Sequence, residues 1–348
     1  VSCNIKFGAR QDQKIQENHH FPYNPVASLP STQVIPSLAS IFAMGKCSPS
    51  MRQGGLRVDW SHFGIARQPF WPAVDTASYF PSPSHEAAAH AINGAWNRGE
   101  PAALLDGPPG CGKSLIALRW LESLPSETPR IVLANLQSPR PADLHQAILF
   151  DLNLPYRGLT EQELRLAVTE HLLAPTPTRT VLVIDEAQNL GPEAFEELRL
   201  LGNIESAGRS VLFVLLTAQS RVLETLKQSE CFMQRLGAKC RIEPLSMEES
   251  AAYLRHQVKF AGGDPDAVFD AESIELLAGA CQGVARLLNR AATSAAELAA
   301  EAGAESIDVE AAMEAVARLG LSAPEVEEDT IPLKHSAKAK KAKLKRSA

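Results

Sequence analysis

From about residue 85 the chain alternates short apolar runs with longer stretches of helical spacing. Five runs are strand-sized: 102–106, Arg130–Asn135, Thr180–Asp185, Ser210–Thr217 and Lys239–Glu243. Between them the spacing predicts a helix capped by Ser84, running to about Arg98 and stopped by Gly99. Further helices are predicted over Lys113–Leu124, near 141–152 and 160–173, over Pro192–Glu205 and over Arg221–Lys227. Strands this apolar, separated by helices, predict a parallel sheet covered on both faces. After Glu243 the strands stop. Helices near 246–261, 270–281, 284–302 and 308–318 predict a small all-helical second domain.

The flanks read differently. Residues 1–55 are rich in Gln, Asn, Ser and Pro and carry no sustained period. They predict a disordered arm, or upstream sequence translated from a wrongly chosen start, with Met51 just before the first ordered-looking segment. Val34 to Ala43 is broken by Pro36 and serines and lacks the charged lead of a signal peptide. The expected division is therefore 1–55 as extension, 56–244 as sheet domain, 245–320 as helical domain and 321–348 as a disordered tail. That tail opens on Pro324 and the acid run Glu325–Asp329 and ends basic.

Composition sets limits. The 348 residues are 45% hydrophobic and 21% charged, which is globular composition with ample length for a core. No apolar run approaches the roughly 18 residues a membrane helix needs. The six cysteines are scattered without a CxxC pair, which fits reduced thiols in a cytoplasm. The formal charge of −6 divides into +7 on residues 334–348, which hold no acid, and −13 on the rest. A basic tail on an acidic body predicts an anionic partner such as DNA or a membrane surface; a solvated, disordered end is the alternative. No HExxH or His–Cys ligand spacing supports a metal-only enzyme, and no GxSxG elbow is present.

The chemistry concentrates in two stretches. GPPGCGKS at 107–114 fits GxxxxGK[ST], between a predicted strand and a predicted helix. Glycines there let successive backbone N–H groups turn inward and cradle phosphates at a helix N-terminus. Gly107, Pro108, Pro109, Gly110, Cys111, Gly112, Lys113, Ser114 and Leu115 are thus the candidate nucleotide-binding residues. Lys113 would reach the β- and γ-phosphates and Ser114 would ligate Mg²⁺. Cys111 is read as a variable loop position, with a low-pKa redox thiol as the alternative. Downstream, TVLVIDEAQNL at 180–190 ends a buried strand in two carboxylates. A ligand at the carboxyl edge of the sheet would lie beside them. Asp185 would hold the Mg²⁺ shell and Glu186 would polarise the attacking water.

GPPGCGKS, VLVIDEAQNL and LRLLGNIES (198–206) together resemble the AAA+ ATPases of the ExeA type, named for the general secretion pathway. The resemblance runs from HFGIARQPF (62–70) through YFPSPSHEAA (79–88) to about residue 318, and TniB-type transposition ATPases share much of this core. It implies an α/β P-loop NTPase fold with a five-stranded parallel sheet and a helical lid, binding ATP and Mg²⁺. It implies that Arg235, in FMQR, is an arginine finger acting on a neighbouring subunit, and hence a homo-oligomer. It places Arg286, in QGVAR, as a second nucleotide sensor and Thr217 or Gln219 as the first. His62, Phe63, Gly64 and Ile65 would lie near the adenine. Thr217-Ala218-Gln219-Ser220 departs from the family's Gly-Gln-Pro, and Ala285 replaces a proline. ExeA adds a membrane span and a peptidoglycan-binding domain, neither of which is legible in this sequence. The expected activity is Mg²⁺-dependent ATP hydrolysis driving work on a protein assembly, of a secretion or pilus kind. A DNA-associated transposition-type ATPase and an ATP-binding switch are the alternatives.

Overall fold

The computed structural model describes residues 58–134, 136–174 and 179–322. The expected extension 1–55 and the tail beyond 322 lie outside them. Five parallel strands form the sheet: β1 (Ala102–Asp106), β2 (Arg130–Leu133), β3 (Thr180–Ile184), β4 (Leu212–Ala218) and β5 (Leu236–Arg241). Their spatial order is β2-β3-β4-β1-β5. Every residue of β1, β3 and β4 is buried, as expected where helices cover both faces.

Alternate strand residues go to opposite sides. Ala103, Leu105, Val183, Phe213 and Leu215 pack under α1 (Pro83–Asn97) and α2 (Lys113–Ser123). Leu104, Leu182, Ile184, Val214 and Leu216 pack under α3 (Pro141–Asp151), α4 (Glu161–Leu173) and α5 (Pro192–Gly202). Short helices α6 (Val222–Lys227) and α7 (Glu230–Met233) lead to β5.

The remaining helices are α8 (Met247–Phe260), α9 (Pro265–Val268), α10 (Ala271–Ala280), α11 (Ala285–Ala302) and α12 (Val309–Arg318). They share one hydrophobic cluster. On α11, Leu288, Ala291, Ala292, Ala295, Ala296 and Ala299 form a buried stripe at helical spacing. Small side chains there let α12 lie close, with Ala311, Ala312, Ala315 and Val316 buried against it.

Four local features differ from expectation. The cap of α1 is Ser82, which accepts from the His85 backbone N–H with Pro83 in the first turn; proline is favoured there because its missing N–H would be unpaired anyway. Helix α5 stops at Gly202, and a two-residue hairpin (Glu205–Ser206 with Arg209–Ser210) follows. Strand β5 begins at Leu236, earlier than its polar sequence suggests. Finally, Trp60, Phe63, Ile65 and Phe70 are buried in the helical cluster, not against the sheet. The segment 58–70 therefore packs with the helices after Glu243, although the sequence joins it to the sheet domain.

Candidate functional site

The loop 107–112 follows the last residue of β1 and opens into α2, at the carboxyl edge of the sheet. A Cβ on Gly107 would lie 2.5 Å from the Ile242 carbonyl oxygen, so only glycine fits where this loop passes the end of β5. His85 sits beneath the loop with its Nε2 3.0 Å from the Cys111 carbonyl oxygen. A carbonyl can only accept, so Nε2 carries the hydrogen.

Lys113 is 8% exposed. Its Nζ donates to the carbonyls of Gly107 (3.0 Å) and Pro108 (2.7 Å). Burial pulls the ammonium pKa down, opposed by the nearby Glu186 and Asp185 carboxylates. A buried ammonium satisfied mainly by backbone carbonyls is a ready receiver for an anion.

Asp185 follows the last residue of β3. Its carboxylate accepts from the Ser114 hydroxyl at 3.1 and 3.0 Å and from the Thr217 hydroxyl. Burial pushes its pKa up, against those two hydrogen bonds. A hydroxyl and a half-buried carboxylate converging at the head of the loop are hard oxygen donors suited to Mg²⁺. Among the described residues no cluster of three or more His, Cys, Asp or Glu could hold a metal ion. A Mg²⁺ ion held here would complete its shell with water or with oxygens of a bound anion, the usual arrangement for that ion.

Glu186 adopts a left-handed backbone (φ 58°, ψ 38°). Few non-glycine residues do so, and such strain concentrates at functional sites. Its carboxylate accepts from the amides of Gln219 (3.3 Å) and Gln188. Arg286, at the start of α11, donates its backbone N–H to the Gly110 carbonyl at 3.2 Å.

Lys113, Ser114, Leu115, Glu186 and Arg286 all line one cleft of about 690 Å³, between the sheet edge and the helical cluster. Its apolar wall is Phe70–Val74, with Phe80 and Leu245.

Other expected site residues lie elsewhere. Thr217 is fully buried and turned to Asp185, whereas Gln219 lines the cleft. His62 bonds the Ala304 carbonyl at 2.7 Å, and Phe63 and Ile65 are in the helical core, so this segment does not form the apolar wall. The Cys111 thiol is buried and its pKa raised by burial, which makes it a poor nucleophile. Arg235 is exposed and precedes Leu236, which pairs with Ala102. That is the amino edge of the sheet, the opposite end from the loop. His85 and Gln188 lie within the motif stretches 79–88 and 180–190, but no role for either was legible there, because their contacts with Cys111 and the Gln219 backbone come from distant elements.

A five-stranded parallel sheet in this order, a glycine loop after β1 and a helical lid over the carboxyl edge define the AAA+ fold of P-loop nucleotide-binding proteins. Residues 97–226 match the AAA domain family. The chain is also 32% identical over 233 residues to General secretion pathway protein A of Aeromonas hydrophila, across 65% of this chain. It spans only 42% of that relative's length. Among solved structures, the Aeropyrum pernix ORC2 protein in its ADP form superposes with a TM-score of 0.55 at 18% identity, covering 76% of this chain and 73% of that one. Drosophila ORC bound to DNA gives a TM-score of 0.55 at 18% identity, covering 81% and 73%. The chain thus carries an AAA domain and is related to the secretion-pathway protein, while the ORC likeness establishes fold. Among the described residues no helix is long and apolar enough to cross a membrane.

Proposed function

We propose that this protein hydrolyses ATP with Mg²⁺ and uses the energy to move its helical lid against the sheet, doing work on a protein assembly. The observation that carries this is the meeting of Lys113, Ser114, Glu186 and Arg286 on one cleft, with Asp185 bonded to Ser114 behind it. Lys113 exchanges its loop carbonyls for phosphate oxygens. Ser114 and Asp185 would hold Mg²⁺, whose charge, when it is bound, would offset that of the β- and γ-phosphates. Glu186 accepts the proton of the attacking water. Arg286 reaches the nucleotide from the lid, so nucleotide state sets lid closure. Arg235, at the far edge, completes a neighbouring subunit's site in a homo-oligomer.

The relative's name supports a secretion or pilus assembly as target. A second reading, a DNA-associated transposition-type ATPase, rests on the basic tail 334–348. A cytoplasmic place is supported by the free, buried thiols of Cys111, Cys240 and Cys281.

Steady-state ATPase assays on the full chain test the proposal. Wild type is expected to turn over, Lys113→Ala to lose ATP binding, and Glu186→Gln to bind ATP but stall. Acceleration by DNA, lost at high salt or on removing 334–348, favours the DNA reading; persistent DNA-independent turnover favours the protein assembly. If wild type and Glu186→Gln bind ATP and are equally inert, the hydrolytic motor is wrong and an ATP-binding switch replaces it.

A further inference from the structure

Gln188 bridges two parts of the site. It lies in the 3₁₀ turn Ala187–Asn189 after β3 and is 9% exposed. Its Oε1 accepts from the backbone N–H of Gln219 at 2.8 Å. That contact fixes the amide's orientation, since a backbone N–H needs an oxygen opposite it. The amide nitrogen must then face the other way, and it donates to Oε2 of Glu186.

This matters because the Glu186 backbone fixes where the side chain leaves the main chain but not where its carboxylate ends up. The residue is past the end of β3 and before the 3₁₀ turn, in a left-handed conformation that belongs to neither. Its direction is set by side-chain contacts: the longer one from the Gln219 amide (3.3 Å) and the one from Gln188. Of these donors, only Gln188 is itself held by a backbone group.

We propose that Gln188 is a positioning residue for the reaction, tying the Glu186 carboxylate to the end of β4 so that it faces the cleft. The inference rests on Glu186 being the base proposed above. Gln188 contacts Glu186 and the Gln219 backbone, and it acts through Glu186. It does not contribute to ATP affinity, because it does not line the nucleotide cleft.

Two substitutions in the full-length protein test this. Gln188→Glu keeps an oxygen for the Gln219 N–H but loses the donor to Glu186. Gln188→Met keeps the length and loses both. In each, kcat for ATP hydrolysis is expected to fall about 10- to 100-fold, the effect of losing a hydrogen bond to a charged group. The Kd for ATP, read with a fluorescent ATP analogue, should stay within about twofold. In single-turnover assays, adding Gln188→Met to Glu186→Gln should cause little further loss, because the carboxylate base that Gln188 positions is already gone. Wild-type kcat in both variants overturns the proposal, as does a loss of ATP affinity that parallels kcat. If Glu186→Gln alone turns over like wild type, the base assignment fails first, visibly and without any Gln188 variant, and the positioning role falls with it.

Discussion

Glu197 is a buried carboxylate outside the cleft, on α5. Its Oε1 lies 3.1 Å from Nε2 of the fully buried His145, and Oε2 pairs with the half-exposed Arg165. Burial alone would raise the carboxyl's pKa, but His145 and Arg165 outweigh it and hold the group below the ordinary glutamate value. Glu197→Ala should destabilise the protein by about 3 kcal/mol in urea unfolding, because it strands a buried partner. The sign with pH follows from the lowered pKa: the carboxylate's contribution is present above the unfolded value of about 4.5 and is lost as pH falls through the lower folded one. The stability gap between wild type and Glu197→Gln should therefore narrow below about pH 4.5. Nothing in the sequence marks this trio, since His145, Arg165 and Glu197 come from three helices. The cleft residues were legible for the opposite reason. Lys113 with Ser114, and Asp185 with Glu186, are neighbours in the chain, and each pair sits where a strand ends. Thr217 against Gln219 was not resolvable, because it turns on where β4 stops. The strand runs through Ala218; Thr217 stays inside it and Gln219 is released to the cleft.

Among the elements, the connection between sheet and lid is the most constrained. Gly283 precedes α11 with φ 73°, and its carbonyl accepts from the Leu245 N–H at 3.0 Å. A Cβ there would fall 2.0 Å from the Leu245 carbonyl oxygen, which no side-chain rotation relieves. Gly283→Ala should cost more than the roughly 1–2 kcal/mol of the left-handed conformation itself. It should also raise KM for ATP by displacing Arg286, three residues on. Thermal unfolding and steady-state kinetics check the two effects separately. The strands were readable from apolar runs, and capping boxes such as Ser246 with Glu249 mark real helix starts. The start of β5 is hidden in the sequence because Gly237, where the pairing with β1 shifts register, breaks the apolar run between Leu236 and Ala238. The hairpin after α5 is hidden because Ala207 and Gly208, both at positive φ, make a turn too short for any periodicity to show.

At the scale of the whole molecule, Arg235 and the cleft lie at opposite ends of the sheet. If Arg235 serves a neighbour, Arg235→Ala and Lys113→Ala should each be inactive alone and recover part of the turnover when mixed. In mixed assemblies a Lys113→Ala subunit still offers its arginine to an intact site next door. Recovery of ATPase activity on mixing, absent for either variant alone, is the measurement. The packing of residues 58–70 into the lid was beyond the reach of sequence, because hydrophobic periodicity reports a buried face and not which distant element covers it. That arrangement also has a consequence for biosynthesis. His62 and Ala304, bonded in the finished protein, are 242 residues apart. At about 5–20 residues per second, the ribosome needs roughly 10–50 s to make the partner of a segment it has already released. For most of that interval Trp60, Phe63 and Phe70 have one another but not the lid helices that finally cover them, so the growing chain carries an apolar cluster still without its cover.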